Sequence, residues 1–119
     1  MEAHGTITFV WDINLLIVNL KGPFNQEGFE RGFSQLKTSV LSREPGTWKR
    51  LQILDEETIS SPEAIEYAMT SWNWFFDHGC VRFAIVISNS VQAYFLNDIK
   101  NPKIKVFERI EDAKVWLCQ

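Results

Sequence analysis

The sequence has few of the residues from which metal, redox and catalytic sites are usually built. Its 119 residues include two cysteines, Cys80 and Cys118, and two histidines, His4 and His78. A zinc site usually takes three or four ligands, so these residues predict no metal site. Two cysteines in predicted structured segments indicate free thiols in a reducing cytoplasm. No nucleophile elbow or glycine-rich phosphate loop occurs. We therefore expect no cofactor and no enzymatic activity.

Clustered positive charge and long apolar runs are also missing. Twelve Lys and Arg stand against 15 Asp and Glu, which gives a formal net charge of −3 and a pI near 5.3. Phosphate binding needs clustered Lys and Arg, so we expect no nucleic-acid partner. The longest nearly apolar run, Ile13 to Leu20, is too short to span a bilayer. The N-terminal residues lack the pattern of a signal peptide. We expect a cytoplasmic protein with no integral membrane segment.

The remaining composition is that of a globular α/β protein, and the length predicts one domain over residues 1–119. Segments rich in β-branched and aromatic residues alternate with segments of helical periodicity. The predicted strands are Gly5–Trp11, Ile13–Leu20, Trp48–Leu54, Val81–Ile87 and Ile104–Phe107. Helices are predicted after Asn25, from Pro62, over Val91–Asn97 and from about Glu108. This order predicts a mixed, mostly parallel sheet of about five strands with four helices, the opening hairpin adding an antiparallel edge.

The first predicted helix has a well-marked start and one side of small residues. Asn25 is a favourable N-cap, and Phe24 before it can pack on Phe29 as a hydrophobic staple. Gly28 and Gly32 each cost helix propensity, roughly 1 kcal/mol against Ala. Their spacing places both on one side of the helix, which indicates a close approach to the sheet or to another chain.

Two further elements carry packing predictions. The second strand, Ile13–Leu20, is apolar nearly throughout, which is typical of a central strand covered on both faces. The last helix is predicted to bury the apolar residues that share one face, namely Ile110, Ala113, Trp116 and Leu117.

The loop from Asp55 to Ser61 is the first candidate site, because open α/β sheets usually hold their sites between the end of a strand and the start of a helix. Its three acidic residues could dock a basic partner, or they could form a solvated loop. Its two serines precede Pro62 and could accept phosphate at the helix N-terminus, although Ser61 could simply be the N-cap. The candidate docking or phosphorylation residues are Asp55, Glu56, Glu57, Ser60 and Ser61.

A second candidate lies on the helix from Pro62, between its core face and its solvated face. We call this set the aromatic flank, and it consists of Tyr67, Ser71, Trp74 and His78. Exposed aromatic side chains in such a stripe indicate a ligand groove or a subunit interface, including a homodimer interface. The alternative is packing beneath the neighbouring first helix.

A third candidate is another corner between a strand and a helix. Its residues Ser88, Asn89 and Ser90 are predicted to lie beside Ser60 and Ser61 on the same edge of the sheet. Two helix N-termini there could hold a small anion or a polar head group. Helix capping alone would also explain these residue types.

Several sequence features together resemble the SpoIIAA-like branch of the STAS domains, also described as STAS/SEC14-like. These are GPFNQEGF, W-x-R-L before a loop ending in S-P-E-A, S-N-x-x-x-x-Y and a closing A-x-x-W-L. They span nearly the whole chain, at Gly22–Phe29, Trp48–Leu51, Ser61–Ala64, Ser88–Tyr94 and Ala113–Leu117.

The resemblance implies a SpoIIAA-like/STAS fold and a non-enzymatic function. Better-known relatives are regulators switched by phosphorylation of a serine at the start of the helix after the third strand. The corresponding region here is Ser60-Ser61-Pro62, which lacks the Asp-Ser-Ser-Gly-like signature of those switch proteins. From the resemblance to these regulators we expect a regulatory protein-interaction module with an unknown protein partner. The relation to lipid-carrier domains implies the alternative, a protein that binds a lipid or small apolar ligand.

Overall fold

Strands and helices alternate along the chain as the sequence predicts. The structure is a computed structural model that describes residues 2–43 and 45–119. Met1 and Glu44 lie outside the described residues. Within these ranges the strands are β1 (Thr6–Asp12), β2 (Leu15–Lys21), β3 (Trp48–Leu54), β4 (Cys80–Val86) and β5 (Ile104–Phe107). The helices are α1 (Gln26–Ser42), α2 (Pro62–Asp77), α3 (Ser90–Leu96) and α4 (Ile110–Leu117).

The strands form one mixed sheet in the order β1-β2-β3-β4-β5. The β1–β2 pair is antiparallel and the other pairs are parallel, which confirms the predicted α/β architecture with one antiparallel edge. Helices α1, α2 and α3 pack on one face of the sheet, where Leu36, Trp72 and Phe75 join the larger apolar core. Helix α4 packs on the other face, where Ala113 and Leu117 meet β3 and β4 in a smaller core.

The hairpin between β1 and β2 turns one residue later than the sequence predicts. Asp12 pairs with Leu15, so Ile13 and Asn14 form a two-residue turn. Ile13 takes a positive φ of 55° and its side chain is 87% exposed. The prediction that Ile13 begins the second strand is therefore wrong. Two-residue hairpin turns need positive φ, and that requirement overrides the strand preference of a β-branched residue.

The prediction that the second strand is a central strand covered on both faces is only partly correct, because β2 lies inside the sheet but one of its faces is incompletely covered. Along β2 the burial alternates, because Leu16, Val18 and Leu20 are buried while Leu15 and Ile17 are half-buried. The half-buried side chains lie on the face of α4, which contacts β3, β4 and β5. One short helix cannot cover all five strands, so this face of β2 stays partly open.

The start of α1 follows its predicted signals. The Asn25 side chain accepts from the Gly28 amide at 2.8 Å, and Phe24 stacks on Phe29 at 4.5 Å between ring centroids. A Cβ on Gly28 would lie 1.8 Å from the His4 carbonyl oxygen, so α1 makes the predicted close approach within the chain itself. The predicted buried face of α4 is only partly correct, because Ala113 and Leu117 are buried, Trp116 is half-buried and Ile110, at the first position of the helix, is 37% exposed.

Candidate functional site

The loop after β3 is folded around the Asp55 carboxylate. This carboxylate accepts hydrogen bonds from the Thr58 hydroxyl at 2.6 Å, the Glu57 amide at 3.1 Å and the Gly22 amide at 3.2 Å. The Thr58 hydroxyl is the main reason that the pKa of Asp55 lies below its usual range, and the two backbone amides add to it. Glu56 and Glu57 point to solvent. Asp55 therefore shapes the loop, and its two acidic neighbours provide the accessible charge.

The corner before α3 holds this loop in place through backbone carbonyls. The Ser88 hydroxyl donates to the Leu54 carbonyl at 2.5 Å, and the Asn89 amide donates to the Glu56 carbonyl at 3.0 Å. Ser90 is exposed at the first position of α3. The structure thus brings the corner of Ser88, Asn89 and Ser90 against the loop that follows β3.

Gln92 is a residue of this site that the sequence analysis missed. Its side chain is only 3% exposed. Its amide nitrogen donates to the Asp55 carbonyl at 2.7 Å and to the Thr58 carbonyl at 3.3 Å, and its oxygen accepts from the Ser88 amide at 2.7 Å. In the sequence, a single glutamine in a short helix cannot be distinguished from a solvent-exposed polar residue, so no local pattern indicates this role.

The two predicted helix caps at this edge are formed. The Ser61 hydroxyl accepts from the Ala64 amide at 3.2 Å at the start of α2, and Asn89 accepts from the Gln92 amide at 2.9 Å at the start of α3. Ser60 is half-buried and pairs with Phe24 through a parallel backbone bridge. Each helix start thus has a side-chain cap of its own, and phosphate or anion binding there stays a prediction.

A small apolar cavity lies beneath the loop, between α2, α3 and β3. Its volume is about 70 Å³, or about 560 Å³ together with the open space at its mouth. Ser60, Thr58, Gln52 and Gln92 contribute the polar part of its lining, which contains no charged side chain among the described residues. The apolar lining includes Phe29, Ile59, Ile65, Met69, Trp72 and Phe95.

The aromatic flank of α2 packs along α1 instead of lining this cavity. Trp74 meets Phe33 of α1 edge to face at 6.0 Å, and His78 stacks on Trp74 at 3.8 Å. Burial raises the pKa of Tyr67, and the charge of Glu30 on α1 adds to it. Ser71 donates to the Ala68 carbonyl at 2.6 Å. A role for this flank in a homodimer stays a prediction. Equilibrium sedimentation that shows only monomer at high protein concentration would contradict it.

Arg50 is the second residue that the sequence analysis missed. Its side chain is 4% exposed, and its guanidinium lies 4.6 Å from the centre of the Phe83 ring and 4.8 Å from that of Phe75. One guanidinium nitrogen, Nη2, donates to the Gln52 amide oxygen, whereas Nε and Nη1 have no partner among the described residues. Burial lowers the pKa of Arg50 to about 10, which leaves it protonated at neutral pH.

Two further properties bear on the class of site. Across residues 2–43 and 45–119, no group of three or more His, Cys, Asp or Glu side chains is placed to hold a metal ion. In the same ranges, no helix is both long enough and apolar enough to cross a membrane.

Comparison with known proteins supports the fold and leaves the function open. The chain is similar in structure to an uncharacterised protein of the DUF3478 family with a SpoIIAA-like fold from Shewanella loihica PV-4. The TM-score is 0.65 at 19% sequence identity, over 99% of this chain and 97% of that chain. No family profile and no curated protein sequence matches the chain. The predicted SpoIIAA-like fold, of the STAS type, is therefore confirmed.

Proposed function

We propose that this protein is a non-catalytic domain that binds a small apolar ligand in the cavity between α2, α3 and β3. The observation that carries the proposal is the cavity itself. It opens at the edge of the sheet where parallel strands end and helices begin, which is the usual place for ligands in open α/β sheets. Its lining is apolar with a few convergent polar groups, as in most small-molecule sites.

The size of the cavity limits the ligand. An engineered cavity of about 150 Å³ holds one benzene molecule, so the 70 Å³ present here suits only a short chain unless the lining moves. Met69 is the side chain best suited to move, because methionine is unbranched and adapts to irregular spaces. The mouth lies beside Val91 and Phe95, both of which are partly exposed. A ligand could therefore enter without opening the main core.

Toluene titration followed by thermal unfolding tests this proposal. A ligand present at ten times its Kd adds about 1.4 kcal/mol to the free energy of unfolding. We expect toluene to raise the Tm of the wild type and to have no effect on Ala68→Leu, which fills the cavity. Thr70→Leu is the matched control, since Thr70 lies on the solvated side of α2. A wild-type Tm unaffected both by toluene, for which Met69 must move, and by a short neutral probe such as methyl propanoate would refute the proposal.

The acidic loop supports a second candidate function, the docking of a partner protein with a basic surface. Glu56 and Glu57 are exposed on a loop that Ser88, Asn89 and Gln92 hold at four backbone carbonyls. A loop held in one conformation loses little entropy on binding, which favours its use as a recognition surface. Phosphorylation of Ser60 or Ser61 would add negative charge to the same loop.

Charge reversal tests the docking function. Binding to a partner should be lost in a variant that combines Glu56→Lys, Glu57→Lys and Ser61→Ala. The control combines Glu111→Lys with Asp112→Lys, which makes the same change of charge on the exposed start of α4. Full partner binding by the loop variant would show that the docking site does not lie in this loop. Mass mapping of the native protein would show whether either serine carries phosphate.

A further inference from the structure

The guanidinium of Arg50 is a buried cation with no anionic partner among residues 2–43 and 45–119. It stacks between Phe75 and Phe83, and two of its three nitrogens have no hydrogen-bond partner among the described residues. The titratable neighbour that acts on its pKa is Cys80. Burial raises the pKa of that thiol to about 11, so it is uncharged at neutral pH and does not neutralise the arginine.

Gln52 connects this cation to the cavity. It lines the cavity, and its amide oxygen accepts from Arg50. Because the oxygen is turned towards Arg50, the amide nitrogen is the atom that can donate to an occupant of the cavity. Trp72, which also lines the cavity, stacks edge to face on Phe83 at 4.9 Å. The guanidinium therefore lies one layer of side chains behind the cavity wall.

The two buried glutamines of the site differ in a way that points to a ligand. Both hydrogen-bonding ends of Gln92 are used by backbone groups of the loop and the α3 corner. Gln52, in contrast, is tied to Arg50 by its oxygen. A positive charge in a medium of low dielectric acts strongly over a few ångströms, so Arg50 and Gln52 together favour a negative group at the inner end of an otherwise uncharged cavity.

We propose that the ligand is a free carboxylic acid with a short apolar chain. This inference rests on the proposed function, because it assigns the chemistry of the ligand in the same cavity. The carboxylate accepts from the Gln52 amide and balances the charge of Arg50, and the chain lies against Ile65 and Met69 towards the mouth. An ester of the same size has the same apolar body but no charge, so it lacks the interaction that the buried arginine provides.

Calorimetric titration with matched acids and esters at pH 7 tests the inference. The acids are butanoate and hexanoate, and their isomeric esters are methyl propanoate and methyl pentanoate. A hydrogen bond to a charged group is worth roughly 1.5–3 kcal/mol, so we expect the acids to bind at least about tenfold more tightly. Arg50→Met should remove this preference. Arg82→Met, which removes an arginine from the opposite face of the sheet, should keep it.

The outcomes separate this inference from the proposed function. If the esters and toluene bind the wild type as well as the acids do, the acid assignment is overturned and the apolar site stands. If neither acids, esters nor toluene bind, both proposals are overturned. The comparison of acid with ester in the wild type needs no variant, so it decides the question even where Arg50→Met fails to fold.

Discussion

The two faces of the sheet differ in the hydrogen-bond partners that they offer to buried or half-buried cations. On the α4 face, Arg82 donates to the Trp116 carbonyl at 2.5 Å, and the Lys49 ammonium donates to the Leu117 carbonyl. Both carbonyls belong to the C-terminal end of α4, where a positive charge also meets the negative end of the helix dipole. On the other face, Arg50 is more deeply buried and has two rings and one amide oxygen around it.

This difference separates a structural cation from a functional candidate. Arg82 completes the hydrogen bonding of a helix end, so the fold alone explains it. Removing a charge from water costs several kcal/mol even after relaxation, and each of the two desolvated ring contacts returns about 2 kcal/mol. Because two guanidinium nitrogens also stay without a hydrogen-bond partner among the described residues, we expect Arg50 to weaken the free protein. Residues that reduce stability without a structural return are concentrated at functional sites.

The largest change in stability is expected at Gln92, which links the loop after β3 to the corner before α3. Gln92→Leu would leave the Ser88 amide and the Thr58 carbonyl without their partner, and the Asp55 carbonyl with only the Thr58 amide. We expect a loss of about 3 kcal/mol in the free energy of unfolding, measured by urea denaturation. Gln35→Leu on the exposed side of α1 is the control and should change it by less than about 0.5 kcal/mol. Equal losses in the two variants would contradict the role assigned to Gln92.

The sign of the effect at Arg50 is the sharpest test of the comparison. Arg50→Met keeps an unbranched side chain and removes the buried charge, so we expect a gain of about 2 kcal/mol in the free energy of unfolding. Urea denaturation of the ligand-free protein at pH 7 measures it. A loss of similar size would mean that the two rings hold the guanidinium favourably, and the cation would then be structural like Arg82.

The matching change on the other face should have the opposite sign. Arg82→Met removes the donor to the Trp116 carbonyl and the contact of the guanidinium with the Trp116 ring at 5.2 Å. Because Arg82 is half-buried and solvent replaces part of the interaction, we expect a loss of only about 1 kcal/mol. The same urea experiment measures this loss. A gain in the free energy of unfolding would mean that Arg82, like Arg50, weakens the free protein.

A smaller effect is expected from the pH dependence of the loop. The folded pKa of Asp55 lies below its ordinary value of 3.8, so its carboxylate stabilises the folded state above that pH. This contribution is lost as the pH falls through the folded pKa. Asp55→Asn should therefore be less stable than the wild type at pH 7, and the difference should shrink below pH 3.8. A difference that stays constant down to pH 2 would show that the carboxylate charge does not stabilise the loop.

Local signals predicted most of the fold. Asn25, Ser61 and Asn89 are side-chain caps at the predicted helix starts, and the alternation of strand-like with helical segments is that of a mostly parallel sheet. The turn at Ile13 was missed because strand preference and turn geometry conflict at that residue. The partial exposure of β2 was missed because it depends on how far α4 reaches across the sheet.

The sequence predicted which two loops meet at this edge of the sheet, but it did not predict the cavity between α2, α3 and β3. The loop after β3 and the corner before α3 meet as expected, because parallel strands end at the same edge of the sheet. The cavity depends on the distance between α2 and α3, which no local pattern specifies. Arg50 and Gln52 alternate along β3 with the buried Leu51, and a strand pattern alone does not reveal that the helices cover their face as well.

Methyl NMR during a toluene titration tests the central claim most directly. We expect saturable shifts for the methyl groups that line the cavity, on Ile59, Ile65 and Met69, and no shifts for Ala113 and Leu117 on the α4 face. An absence of saturable shifts at the cavity, or equal shifts on both faces of the sheet, would contradict a ligand site between α2 and α3.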